Sequence, residues 1–210
     1  MRKIKNLVFD LGGVLVEISL QGSIEAFKAI GFKDVEQYLN AYTQKGFIGD
    51  VEAGNISDEE FRQQVSRHVG REVSWEDCQR GWLGFMTEVK QANLDQLLKF
   101  KTMGYKIALL SNTNPFIARW FHSNEFDGRG HSLDDFIPRE HQYLSFEQRS
   151  MKPGSKIFET MLTKERFNPD ETMFIDDGTN NIKAAQELGI HAFQPVNGEV
   201  WGRSLENLLE

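Results

Sequence analysis

Short apolar segments typical of buried strands alternate with helical segments along most of this 210-residue chain. Segments that are apolar on both faces are typical of strands covered by helices on each side. Strands that alternate with helices favour right-handed crossovers and a parallel sheet. The strands are predicted at residues 4–9, 105–110, 142–145, 172–175 and 191–196. We therefore expect an α/β fold with a three-layer, Rossmann-like parallel sheet as its core.

A long segment that follows the first strand has a helical pattern throughout. Tyr38–Tyr42 carries an apolar stripe at helical spacing, and capping-box patterns at Ser57–Glu60 and Ser74–Asp77 mark two helix starts. No strand pattern interrupts this segment, so it is predicted to be an inserted all-helical cap. The predicted domains are an α/β catalytic core of residues 1–17 and 87–210, and a helical cap of residues 18–86.

Polar residues follow or lie near several of these strands in a fixed order. They are Asp10, the segment Leu110–Asn114, Lys152 with Pro153, and the segment Phe174–Gly178. Because the carboxyl ends of parallel strands meet at one edge of a sheet, these distant residues are expected to share one pocket. Taken alone, each group also fits a structural role: a strand-ending turn, a helix N-cap or a solvated lysine.

The four groups in this order resemble the four motifs of the haloacid dehalogenase-like hydrolases, over nearly the whole chain. The helical insert looks like the C1 cap class of that superfamily. Within it, Phe9–Leu15 is similar to the bacterial α-glucose-1-phosphate phosphatase type and to the phosphatase domain of soluble epoxide hydrolases. The segments Gly54–Phe61 and Ser111–Pro115 strengthen the first comparison.

The resemblance implies a nucleophile and a metal site. Asp10 would attack phosphorus to form an aspartyl-phosphate, which divides one difficult displacement into two easier ones. Asp10, Asp177 and the backbone carbonyl of Gly12 would bind the metal, and Asp176 would bind it through water or orient a ligand. Oxygen-only ligation favours Mg²⁺ as the cofactor.

The resemblance also implies a phosphate site. Ser111 and Asn112 would hold phosphoryl oxygens through a hydroxyl and backbone N–H groups. Lys152 would act as the catalytic counter-charge that bridges the phosphate and Asp10. Asn181, one helical turn after Asp177, would orient Asp177, a metal-bound water or Lys152.

Gly12 departs from the main phosphatase pattern of the superfamily, in which most members carry a second aspartate at this position as general acid and base. General acid–base catalysis typically raises the reaction rate ~10²–10⁴-fold. Three explanations remain open: a substrate with a good leaving group, such as an anomeric phosphate; another acid, such as a cap histidine or a water; or a weak or inactive protein. The sugar 1-phosphate resemblance favours the first.

The predicted function is a Mg²⁺-dependent phosphatase of a small phosphorylated metabolite, with a sugar 1-phosphate as one candidate. The alternatives are a 2-haloacid dehalogenase, in which the same aspartate attacks carbon, and a catalytically weak phosphate-binding regulatory protein. The predicted cap would choose the substrate. Its aromatic residues could line a pocket or form a core: Phe47, Trp75, Trp82 and Phe85.

Composition limits the partners and the cellular location that are expected for this chain. The chain has 24 basic and 31 acidic residues, a net charge of −7, which argues against a nucleic-acid groove. Cys78 is the only cysteine, so no intrachain disulfide can form and a cytoplasmic location is expected. The apolar run before Asp10 is too short for a signal peptide, and no membrane partner is expected. A monomer or weak homodimer is expected.

Overall fold

The computed structural model describes residues 3–40 and 44–210. Its strands are β1 (Asn6–Phe9), β2 (Val16–Ile18), β3 (Met86–Val89), β4 (Lys106–Ser111), β5 (Gln142–Leu144), β6 (Thr172–Ile175) and β7 (His191–Phe193). Its helices are α1 (Leu20–Ala29), α2 (Gly46–Glu52), α3 (Asp58–Val69), α4 (Trp75–Leu83), α5 (Gln91–Thr102), α6 (Pro115–Phe121), α7 (Leu133–Phe136), α8 (Ser145–Gln148), α9 (Ser155–Glu165), α10 (Thr179–Glu187) and α11 (Gly202–Leu209). Short 3₁₀ turns lie at Val35–Gln37, Arg139–His141 and Pro169–Glu171.

Five strands form one parallel sheet in the order β5-β4-β1-β6-β7. The strands predicted from sequence are all present, with ends that shift by a few residues. The first begins at Asn6 rather than residue 4, and Ser111 lies inside β4 as its last residue. β1 is the central strand, so the residue that follows it emerges at the middle of the carboxyl edge.

Side chains of β1 alternate between two hydrophobic clusters on opposite faces of the sheet. Leu7 and Phe9 belong to the cluster that includes buried residues of α5 and α11, whereas Val8 belongs to the one that includes residues of α9 and α10. Period-two alternation in a fully buried strand requires an apolar layer on each side. The predicted three-layer α/β fold is confirmed.

Between β1 and β4, helices α1 to α4 form a compact group, called here the helical insertion. In the chain, β2 precedes this group and β3 follows it. β2 and β3 pair antiparallel, with Glu17 opposite Glu88 and Ile18 opposite Met86. The expectation that residues 18–86 contain no strand is therefore wrong at both ends. Each of these strands is only three or four residues long and partly exposed, which is too short to give a clear strand pattern in the sequence.

The predicted helix starts at Ser57 and Ser74 are confirmed, because each forms a capping box with the residue three positions later. The stripe predicted at Tyr38–Tyr42 ends in Ala41 and Tyr42, which lie outside the described residues, and Tyr38 closes a 3₁₀ turn. The division into a core and a cap at residues 17/18 and 86/87 stays a prediction. Within residues 3–40 and 44–210, no helix is long and apolar enough to cross a bilayer.

Candidate active site

A cavity of about 240 Å³ opens at the carboxyl edge of the sheet, beside the ends of β1, β4 and β6. Six of the residues predicted as catalytic, phosphate-binding or metal-binding line it: Asp10, Gly12, Ser111, Asn112, Lys152 and Asp177. They come from four separate parts of the chain, and only the parallel order of the strands brings them together. The predicted convergence at one edge is therefore observed.

Asp10 follows the last residue of β1, and its carboxylate is held at both oxygens. Oδ1 accepts a hydrogen bond from the backbone N–H of Leu11 at 2.7 Å. Oδ2 lies 2.9 Å from Nζ of Lys152. The residue is buried at the cavity wall, so its carboxylate faces the pocket in a fixed orientation.

Lys152 is buried between two carboxylates, with Nζ 2.9 Å from Asp10 and 2.7 Å from Asp176. Burial lowers the pKa of Lys152, but the facing carboxylates outweigh it, and the pKa lies above its ordinary value. The side chain is therefore cationic at neutral pH. The alternative of a merely solvated lysine is wrong, because the ammonium is 0% exposed.

Asn112 holds the backbone of Lys152 rather than pointing into open space. Its amide nitrogen donates to the Lys152 carbonyl at 2.8 Å, and its amide oxygen accepts from the Lys152 N–H at 2.9 Å. The side chain thus fixes the segment that carries the lysine. Ser111, the last residue of β4, is buried beside it at the cavity wall. The predicted contacts of Ser111 and Asn112 with phosphoryl oxygens stay predictions.

The two neighbouring aspartates after β6 have different environments. Asp176 is fully buried and saturated with donors: Lys152 Nζ at 2.7 Å, the Gly178 N–H at 2.7 Å, and the Asn181 amide at 3.0 and 3.1 Å. This environment favours an orienting role for Asp176. Asn181 acts on Asp176, which was not among the partners expected for it.

Asp177 is only half-buried and lies against the backbone turn that follows Asp10. A β-carbon on Gly13 would lie 2.3 Å from Asp177 Cγ, and Gly13 has a φ of +74°. Glycine is therefore required at this turn both for the backbone conformation and for the space that the carboxylate occupies.

The three aspartates form a site that suits a divalent cation. Ligand oxygens of Asp10, Asp176 and Asp177 all lie within 4.8 Å of one another. With Lys152, three negative charges and one positive charge leave a formal charge of −2 in a mostly buried space.

The pKa values of this cluster reflect its excess of negative charge. Burial raises the pKa of Asp10 to about 7, with Lys152 opposing the shift and Asp176 and Asp177 adding to it. Burial and Asp176 raise the pKa of Asp177 to about 6. A bound Mg²⁺ would relieve both shifts, so these residues fit the predicted metal. Gly12 lines the same cavity, and its carbonyl as a ligand stays a prediction.

The helical insertion contributes residues that sequence reasoning missed. Glu52, at the end of α2, lines the cavity, as does Met86 at the start of β3. Nothing in the sequence distinguishes Glu52 from the other acidic residues of these helices. Of the four aromatic residues considered for a pocket, Phe85 reaches the cavity, whereas Trp82 is fully buried in the core.

Comparisons with known proteins agree with this geometry. The family model for haloacid dehalogenase-like hydrolases matches residues 4–189. The D-ribitol-5-phosphate phosphatase of Bacteroides thetaiotaomicron is 40% identical over 206 residues, which cover 98% of each chain.

Solved structures extend the likeness to the whole fold. A HAD-like family hydrolase from Porphyromonas gingivalis is 38% identical, covers 100% of this chain and 99% of its own, and has a TM-score of 0.93. A HAD family enzyme from B. thetaiotaomicron, solved with magnesium and inorganic phosphate, is 37% identical, covers 96% and 98%, and has a TM-score of 0.86. The predictions of this family, and of a phosphatase within it, are confirmed. The chain belongs to the haloacid dehalogenase-like hydrolases.

Proposed function

We propose that this chain hydrolyses a small phosphorylated sugar or polyol, with Mg²⁺ as cofactor and an aspartyl-phosphate on Asp10 as intermediate. One observation carries the proposal: Asp10 lies 2.9 Å from the buried cation of Lys152, within a cluster of three carboxylates that suits a divalent ion. Attack of one anion on another requires a fixed nucleophile and nearby positive charge, which Lys152 supplies and which a divalent ion at the carboxylates would increase.

In the proposed reaction, a carboxylate oxygen of Asp10 attacks phosphorus, and the bond from phosphorus to the leaving oxygen breaks. The Leu11 N–H and Lys152 orient the carboxylate. Lys152 balances the charge of the incoming phosphoryl group, and Asp176 and Asn112 hold the lysine in place. Asp10 and Asp177 would hold a divalent cation, which would add positive charge at this position. Ser111 and Asn112 hold the remaining phosphoryl oxygens.

A hydroxyl-bearing metabolite suits the size and lining of the cavity. About 240 Å³ lies below the usual range for drug-sized ligands, ~300–1,000 Å³, and the lining is rich in polar side chains. The relative named for D-ribitol 5-phosphate supports a polyol phosphate. Gly12 supports the other candidate, a sugar 1-phosphate, because an anomeric oxygen leaves with less help from an acid.

The test compares kcat/KM for D-ribitol 5-phosphate, glucose 1-phosphate and glucose 6-phosphate, with Mg²⁺ and with a chelator. We expect turnover of at least one of these esters in Mg²⁺ and none in chelator. Halide release from a 2-haloacid in chelator would instead favour the dehalogenase alternative. Tight binding of inorganic phosphate without turnover of any ester would favour the regulatory alternative.

A further inference from the structure

In this chain, position 12 lacks the aspartate that most members of the superfamily carry there, and it also has little space for a side chain. A β-carbon on Gly12 would lie 3.3 Å from Cγ2 of Ile18, the last residue of β2. A side chain at position 12 would therefore press on the strand that leads into the helical insertion. An acid that serves the leaving group must come from another wall of the cavity.

Glu52 occupies such a wall. It is the last residue of α2, its exposure is only 8%, and it lines the same cavity as Asp10 and Lys152. Among the described residues, the other ionisable group at the cavity wall is Asp177. Glu52 therefore reaches the substrate space from the insertion, while the phosphoryl-transfer groups reach it from the sheet.

Glu52 is tied to the loop that follows β4. The hydroxyl of Ser145 contacts the Glu52 carbonyl at 2.7 Å and the Thr113 carbonyl at 3.0 Å, and it accepts a hydrogen bond from the Thr113 N–H at 2.9 Å. Two residues after Glu52, a β-carbon on Gly54 would lie 2.1 Å from the carbonyl oxygen of Phe146. These contacts fix the end of α2 against the sheet, so the position of Glu52 relative to Ser111 and Asn112 is set.

The environment of the Glu52 carboxyl favours the protonated acid at neutral pH. Burial raises its pKa to about 8, and the Asn114 amide opposes the shift only in part. A buried aspartate with a structural role differs: Asp127 accepts hydrogen bonds from the Arg129 N–H, the His131 N–H and the His131 ring, and its pKa is lowered.

A further polar group at the cavity wall lacks a good partner. Thr113 lines the cavity, and its hydroxyl is buried without a hydrogen bond to the described residues. Buried polar groups are normally paired, so an unpaired one at a cavity wall points to a polar ligand. A substrate hydroxyl would supply the missing partner.

The cap histidine considered as a replacement acid is not at the site. His68 is the only histidine of residues 18–86; it is exposed, and its ring contacts Asp34 at 2.6 Å. It is absent from the cavity lining formed by the described residues. Glu52 is the carboxyl group of the insertion that does line it.

We propose that Glu52 is the general acid and base of this phosphatase, in place of the aspartate that Gly12 lacks. The proposal rests on the function proposed above. In the first step, Asp10 bonds to phosphorus, the bond from phosphorus to the ester oxygen breaks, and Glu52 gives its proton to that oxygen. In the second step, water attacks phosphorus, the bond to Asp10 breaks, and the Glu52 carboxylate takes a proton from the water. The alcohol and phosphate leave, and Glu52 is again protonated.

The experiment compares the wild-type protein with Glu52→Gln on esters that differ in leaving group. Phosphorylation by 4-nitrophenyl phosphate needs little acid, because nitrophenolate is a good leaving group. In Glu52→Gln we expect a burst of one nitrophenolate per active site, followed by slow turnover, because the second step lacks its base. With D-ribitol 5-phosphate or glucose 6-phosphate, kcat/KM should fall by ~10²–10⁴-fold.

Two matched variants separate chemistry from folding. Glu76→Gln removes an exposed carboxylate from α4 and should behave like the wild-type protein. Glu52→Asp keeps the acid and should recover part of the turnover of the alkyl ester. The wild-type protein should also lose kcat/KM on that ester above a pH of about 8, as Glu52 ionises, and Glu52→Gln should lack this limb.

Two results would overturn the role of Glu52: near-normal kcat/KM of Glu52→Gln on the alkyl esters, or equal losses on every substrate without a burst. The proposed function is tested separately, by Mg²⁺-dependent hydrolysis of 4-nitrophenyl phosphate by the wild-type protein. Failure of the Glu52 proposal leaves hydrolysis of 4-nitrophenyl phosphate by the wild-type protein intact. Failure of the proposed function abolishes that hydrolysis, so the two outcomes are distinguishable.

Discussion

Gly13 and Asp177 face each other so closely that a β-carbon on residue 13 would lie 2.3 Å from Asp177 Cγ. Gly13→Ala is therefore expected to displace the carboxylate and to weaken Mg²⁺ binding at least ~10-fold, about 1.4 kcal/mol. Titration calorimetry with Mg²⁺ measures the change. Gly70→Ala is the matched control, since Gly70 has a φ of +75° but no heavy atom within 4 Å of the added carbon. Equal Mg²⁺ affinity in the two variants would contradict the prediction.

Asp10→Asn should abolish turnover and leave the fold intact, because the amide keeps the shape of the side chain and loses its nucleophilicity. Steady-state hydrolysis of 4-nitrophenyl phosphate and a thermal melt are the measurements. Asp95→Asn, at an exposed position of α5, should retain full activity. Turnover that persists in Asp10→Asn would rule out Asp10 as the nucleophile.

Lys152→Ala should lower both kcat/KM and stability, because it leaves Asp10 and Asp176 facing each other without a cation. Loss of one partner from a buried ion pair costs ~3–5 kcal/mol. Denaturant unfolding measures this loss. Lys90→Ala breaks contacts with Glu17 and Glu88 near the surface and should cost no more than ~1 kcal/mol. Similar losses of unfolding free energy in the two variants would show that the buried Lys152 stabilises the fold no more than Lys90 does near the surface.

The metal-free protein should become less stable as pH rises from about 4 to about 7. The folded-state pKa values of Asp10 and Asp177, about 7 and about 6, lie above the ordinary value of 3.8, so folding retains protons that the unfolded chain releases. Mg²⁺ competes with those protons. The rise in Tm on adding Mg²⁺ should therefore be larger at pH 8 than at pH 5, and Asp10→Asn should reduce that difference. A Mg²⁺ effect that is independent of pH would contradict this linkage.

Glu52→Gln should be more stable than the wild-type protein at alkaline pH. The folded pKa of Glu52, about 8, exceeds its ordinary value of 4.5, so the wild-type protein loses stability as pH rises through this window and the amide does not. We expect the advantage of the variant, measured by denaturant unfolding, to grow by at least ~1 kcal/mol between pH 5 and pH 9. A constant difference across this range would show that Glu52 titrates normally.

The sequence predicts those features that depend on local pattern and on sheet geometry. β6 is predicted to the residue at Thr172–Ile175, and Asp10 and Lys152 are correctly brought together because parallel strands end at one edge. The two capping boxes are equally local.

Features that depend on how distant helices dock could not be predicted. Glu52 is buried, with its pKa raised to about 8, because α2 packs against Ser145 and the loop after β4, and no sequence period encodes that contact. The hydrogen-bond partner of Asn181 also depends on tertiary structure, because the turn after β6 directs Asp176 rather than Asp177 toward its amide. The β2–β3 pair could not be predicted from the sequence because its strands are short and half-exposed.

That strand pair also bears on how this protein could diversify. The chain enters and leaves the four helices at adjacent points, where the Ser19 N–H donates to the Phe85 carbonyl and the Lys90 N–H donates to the Leu15 carbonyl. An insertion whose ends meet can be exchanged between relatives with little effect on the sheet. If Glu52 acts as proposed, such an exchange changes the proton donor together with the substrate contacts. Selectivity and leaving-group tolerance would then be inherited as one unit.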